Sequence, residues 1–193
     1  MIKFIQIGCK ERNGIDPAQA KAVLKHKPDI ILFEFPQDNK TPETIFNKYP
    51  PEKKPKKELS KVIKILRTAT KSMPWAESDI QVFENINKLW DEGKQVYLYF
   101  IDAPIKITSA RLDENNKRHS PFPKIQKYLW WWNKMYAREG YMTKHLKWIL
   151  KKHKEKDLKV LVFLEKFHWN NVQFRLKAKS KEEIQKYYFS AFK

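Results

Sequence analysis

Four short apolar runs in this chain each end close to an ionisable side chain. Glu11 lies three residues beyond Gly8, Glu34 sits inside the apolar end of residues 30–35, Asp102 closes residues 95–101, and Glu165 with His168 follows residues 158–164. Carboxylates and an imidazole brought together can do general acid–base chemistry. In open α/β sheets, groups at the carboxyl ends of strands gather in one crevice. Glu34 is the sharpest physical signal, because a carboxylate within an apolar strand is costly to desolvate unless it pairs, binds a metal or shifts its pKa. Taken singly, each residue is equally well read as a strand-end charge that reaches solvent or an arginine.

Those positions depend on the runs being strands. Residues 3–8 alternate, residues 29–35 and 158–164 are nearly continuous apolar runs, and residues 95–101 end on Asp102. Runs this short suit strands, and continuous ones suit parallel sheets covered on both faces. Asp16 before Pro17 is an N-cap with proline at the first helical position, predicting a helix to about Lys27. Helical spacing then predicts helices over 58–72 and 76–92, with Gly93 as the stop, and over 123–154, either as one helix or as two joined near Gly140. A short last helix is predicted over 181–193. Five prolines and the cluster Lys53, Lys54, Lys56 and Lys57 make residues 36–57 an irregular excursion. The expected fold is α/β: a single sheet of mainly parallel strands, helices on both faces, and a helical insertion at 58–93 between strands two and three.

With 193 residues the chain suits one domain, 1–193. Apolar residues make up 41% of it, with twelve Phe, eight Tyr and seven Trp, enough to exclude wholesale disorder. The lone cysteine, Cys9, excludes an internal disulfide framework and a CxxC zinc site. No run of 18 apolar residues occurs, and the opening segment is too short and alternating for a secretory signal, so a soluble cytoplasmic protein without a membrane span is expected. Forty Lys and Arg against 22 Asp and Glu give a net charge of +18. That surplus favours phosphate polymers, anionic membranes or acidic proteins as partners. A lysine-rich chain with four glycines suits a protein from a hot environment equally well.

Read together, the strand ends form a pattern. Gly8-Cys9-Lys10-Glu11, a helix, then Lys27-Pro28-Asp29 and a strand ending in Glu34 resemble the opening of the TraB/PrgY family, within the wider TraB/Tiki and ChaN-like superfamily. That family runs Gly-x-x-His, a helix, then Lys-Pro-Asp and a strand ending in Glu. Residues 102–111, Asp-Ala-Pro-Ile-Lys-Ile-Thr-Ser-Ala-Arg, are similar to its Asp-Arg-x-Ile-x-x-Thr-x-x-Arg stretch. Arg138-Glu139-Gly140-Tyr141-Met142 matches its Arg-(Asp/Asn/Glu)-x-x-Met, and His168 takes the place of its second Gly-x-x-His histidine. The matches cover nearly the whole chain. Three departures stand out: Glu11 replaces the first histidine, Glu165 the second glycine, and Ala103 the arginine after the central aspartate.

The resemblance implies a metal-dependent hydrolase or peptidase, here without the membrane-spanning C-terminal part that some members carry. It implies a divalent ion, manganese, cobalt or zinc, with Glu11 and His168 as ligands. Glu165 either adds a ligand or fills the pocket. Glu34 would orient or deprotonate the attacking water, Arg138 would stabilise oxyanion charge, and Asp102 would position Arg111 or Arg138. The plainer alternative has Arg138 neutralising buried carboxylates while Met142, one turn on, packs in the core. The contrasting function is a non-catalytic descendant that binds polyanions, nucleic acid or an acidic partner, through its basic surface. The densest basic segment, Lys144 to Lys159, is interleaved with Trp148, a combination typical of nucleic-acid binding. Charged helix faces are also commonly just solvated. Cys9 could act as a thiol nucleophile with His168, although a small buried thiol is the commoner outcome. Trp130-Trp131-Trp132 points around three sides of a helix, which leaves at least one ring for stacking or for lying along lysine stems.

Overall fold

The structure is a computed structural model that describes residues 2–7, 17–36, 63–64, 67, 76–103, 123–154 and 157–190, with backbone alone at 17, 35–36, 76–79, 123–134 and 189. In chain order the elements are β1 (Ile2–Gln6), α1 (Pro17–His26), β2 (Ile30–Pro36), α2 (Ala76–Asp91), β3 (Tyr97–Asp102), α3 (Pro123–Lys152), β4 (Leu158–Phe163), α4 (Lys166–Lys177) and α5 (Lys181–Ser190). The fold is α/β, built on one four-stranded parallel sheet in the order β1-β4-β2-β3. The last strand in sequence thus lies between the first two, pairing Ile2 with Leu158 on one side and Ile30 with Val160 on the other. Its composition suits that place. Five of the six β4 side chains are buried, whereas those of edge strand β1 are only half-buried or exposed.

The described residues of Met1–Glu34, Glu43–Phe100 and His153–Lys166 form one compact unit, and those of Phe35–Pro42, Ile101–Lys152 and Phe167–Lys193 form a second. In the first unit, Phe33 packs against Phe83, Phe100 and Phe163, with ring centroids 5.4–5.7 Å apart. The Lys-Pro-Asp segment joins three strand starts. Asp29 donates its N–H to the Lys159 carbonyl, its Oδ2 accepts the Lys159 N–H at 2.8 Å, and its carbonyl accepts the Tyr97 N–H at 2.8 Å. Lys94 is paired with Asp29 Oδ1. Gly93 ends α2 at φ 82°: its N–H bonds the Trp90 carbonyl and the Lys94 N–H the Leu89 carbonyl, the paired bonds of a Schellman stop.

Of the two arrangements the spacing allows for residues 123–154, the single helix is the one observed: residues 123–152 run through Gly140 without a break. Helix α4 was not expected at all, and its side chains say why. His168, Asn171, Val172 and Arg175 recur at helical spacing and are buried, but three of the four are polar, so hydrophobic periodicity does not reveal them. The predicted helix over 58–72 has helical backbone at Ile63, Lys64 and Arg67. The rest of that prediction, and the excursion from 37 to 57, lie outside the described residues.

Candidate active site

The second unit holds a chain of buried polar side chains that links the end of β3 to α3, α4 and α5. Asp102, the last residue of β3, is 1% exposed and receives Arg138 side-on: Nε donates to Oδ1 at 2.8 Å and Nη2 to Oδ2 at 2.6 Å. Such two-pronged pairing fixes the guanidinium plane. The Ala103 N–H also donates to Oδ1, at 2.7 Å. The third nitrogen of the guanidinium, Nη1, lies 3.1 Å from His168 Nε2. On the far side of that ring, Nδ1 is 2.9 Å from Oε1 of Glu139, a residue with no solvent exposure.

Donor chemistry settles the tautomer of His168. A guanidinium can only donate, so Nε2 must be the lone-pair nitrogen facing Arg138. Nδ1 therefore carries the proton and donates it to Glu139. The ring is neutral and held from both sides, between a cation at one nitrogen and an anion at the other.

Glu139 is satisfied further. Its Oε1 also accepts from Asn171 Nδ2 at 2.8 Å, and its Oε2 accepts the Tyr188 hydroxyl. Burial raises the Tyr188 phenol far above its usual range, and the adjacent Glu139 charge adds to the effect. The hydroxyl therefore stays protonated, and it accepts from Arg175 Nε at 2.8 Å. Arg175 is pinned again by Nη2 to the Tyr136 carbonyl at 2.7 Å and lies between the Tyr136 and Tyr188 rings. Two carboxylates are thus balanced by two guanidiniums around one neutral imidazole. Gly140 leaves room for this approach, since a Cβ there would stand 3.0 Å from Arg175 Nη1, tighter than an ordinary contact. One turn from the chain, buried His145 reaches the Ile101 carbonyl through Nδ1 at 2.9 Å, and burial lowers its pKa.

The predicted site residues fall into three groups. Asp102, Arg138 and His168 are brought together in the second unit. Glu34 and Glu165 meet in the first, where Glu34 Oε2 accepts the Glu165 N–H at 3.0 Å and so joins the ends of β2 and β4. Glu11, with Cys9 and Arg111, lies outside the described residues, and the side chains of Trp130, Trp131 and Trp132 are not among those described. Met142 is fully buried in the core.

Sequence reasoning passed over Glu139, Asn171, Arg175 and Tyr188. Glu139 was within reach, because it is the acidic position of the Arg-(Asp/Asn/Glu)-x-x-Met match and now has a physical role as the anchor of His168. Asn171 and Arg175 follow His168 at three and seven residues, spacing that a search for polar rather than apolar helical stripes would find.

A divalent ion does not fit His168 as it stands. One ring nitrogen carries its proton toward Glu139, and the other has a guanidinium cation 3.1 Å away, where a metal would have to sit. Among the described residues, no group of three or more His, Cys, Asp or Glu could hold a metal ion. Among them, too, no helix is long and apolar enough to cross a membrane. In comparisons with known proteins, no family model, no curated protein and no solved structure matches the chain.

Proposed function

We propose that this chain is a hydrolase of the TraB-like kind, acting on a carbonyl-centred substrate such as a peptide, with His168 as its base and Arg138 as its oxyanion partner. The observation that carries this reading is the line Glu139–His168–Arg138–Asp102. A buried carboxylate on Nδ1 orients an imidazole and aims the Nε2 lone pair, the same logic by which carboxylates orient working histidines in other sites. Water takes the place of Arg138 Nη1 at Nε2, His168 takes its proton as the hydroxide oxygen adds to the substrate carbonyl, and the imidazolium gives that proton to the leaving amine or alkoxide as the C–N or C–O bond breaks. The guanidinium pivots on its ion pair with Asp102 to make that room, so the positive charge stays beside the developing oxyanion. Asp102 and Glu139 are positioning residues here. A manganese, cobalt or zinc ion belongs to the same family expectation, and its binding at His168 requires Arg138 to withdraw from Nε2.

The test is hydrolysis of a peptide and ester panel by the full chain, with and without each metal. His168→Gln should lower turnover by about 10²–10⁴-fold, as for loss of a general base. Arg138→Lys should lower kcat by about 10²–10³-fold with little change in KM. Turnover that is unaffected by His168→Gln, or no turnover under any metal condition, overturns the proposal.

A further inference from the structure

The part of α3 from Glu139 onward divides into two faces. Glu139, Met142, Thr143, Leu146 and Ile149 are buried, while Lys144, Lys147, Lys151 and Lys152 are exposed and flank the half-buried Trp148. Positions 144, 147, 148, 151 and 152 repeat at three- and four-residue intervals, so these side chains share one stripe. Lys152 Nζ lies 4.9 Å from the centre of the Trp148 ring. Glu139 is the only acidic residue in α3, and it is consumed inside the buried chain, so the helix supplies no counter-charge to its own lysines.

We infer that this stripe is a binding surface for single-stranded nucleic acid, with the four lysines on backbone phosphates and Trp148 as a base-stacking platform. Three features favour this partner. At about 1.5 Å per residue the stripe spans about 12 Å. Four lysines over that length, with no acidic side chain on the exposed face of the helix, make a dense positive track for a phosphate backbone. An aromatic ring within a basic stripe suits bases, which stack without sequence preference. A membrane surface is less well matched, because helices that bind membranes bury an apolar face in lipid, and here Met142, Leu146 and Ile149 are already buried in the protein.

The experiment measures anisotropy of a labelled 20-nucleotide single strand with the full chain across a salt series. Replacing all four exposed lysines by Gln should lower the magnitude of the log K against log salt slope by about 2.8, four contacts at about 0.7 each. An abasic strand of equal length should bind about tenfold more weakly than the normal one, through lost stacking. An unchanged slope in the quadruple variant removes the stripe from the interface. Equal binding of the abasic strand removes the stacking role and with it the assignment to nucleic acid. Polyglutamate or phosphatidylserine vesicles that bind as tightly as the strand, and lose binding equally in the variant, would replace nucleic acid as the partner. None of these outcomes depends on hydrolysis, because the lysines lie on the face of α3 opposite Glu139.

Discussion

Glu139→Gln is the substitution that bears hardest on the buried chain. It keeps the shape of the side chain and removes the negative charge. Glu139 is fully buried and accepts three hydrogen bonds, from His168 Nδ1, Asn171 Nδ2 and the Tyr188 hydroxyl. An amide has one accepting end. With its oxygen toward His168 and Asn171, its nitrogen faces Tyr188, whose hydroxyl loses the carboxylate oxygen to which it donates. Arg175 and Arg138 are also left with one carboxylate between them, Asp102. Breaking a buried ion network by removing one partner costs about 3–5 kcal/mol. With a urea slope of about 2 kcal/mol/M, the unfolding midpoint should fall by about 2 M. Glu182→Gln, at an exposed position in the first turn of α5, is the control, expected within about 0.5 kcal/mol of the parent. If Glu139→Gln unfolds within about 0.5 kcal/mol of that control, the carboxylate is not the charged hub described here and the orientation of His168 has another cause.

Other expectations follow from neighbouring groups. His145 has its pKa lowered by burial, so the unfolded chain gains a proton first as pH falls below about 6.5. Its contribution is complete above that pH and is lost as pH falls toward the folded value, at no more than about 1.4 kcal/mol per pH unit. Urea midpoints between pH 7 and pH 5 should therefore fall less steeply in His145→Asn. Ala in place of a helical Gly ordinarily gains about 1 kcal/mol, but Gly140→Ala should destabilise the chain because Arg175 is pinned at two nitrogens and cannot yield. In an Arg175→Met background the same change should become stabilising, a sign reversal that a double-mutant cycle reads directly. Arg138→Gln, which removes the cation facing Nε2, should raise zinc or cobalt affinity in calorimetry, and unchanged affinity would mean that Arg138 does not guard that nitrogen.

The strands were readable because parallel-sheet interiors are written in unbroken apolar runs such as Ile30–Phe33 and Val160–Leu164. Their order was not. Nothing in β4 says that it inserts between β1 and β2, a fact set by long-range pairing. Arg138 and Asp102 could be placed in one site from their motif positions, and their pairing is the outcome. The resemblance makes His168 a metal ligand together with Glu11, which lies outside the described residues. Among the described residues His168 contacts Arg138 and Glu139, and Glu139 reads in sequence as an ordinary helical carboxylate. The buried stripe of α4 escaped for a related reason: when His, Asn and Arg are satisfied by one another, burial no longer follows hydrophobicity.

The claim beneath the functional reading is that His168 is a neutral ring with its proton on Nδ1 and its lone pair on Nε2 facing Arg138. Nitrogen-15 NMR of the histidine rings in the full chain tests it directly, with His168 assigned by its absence in His168→Gln. A protonated Nδ1, an unprotonated Nε2, and scalar coupling across the hydrogen bond between Arg138 Nη1 and Nε2 are expected. A proton on Nε2, with Nδ1 bare or protonated, would contradict it, because the imidazole would then have no lone pair aimed where the chemistry requires one.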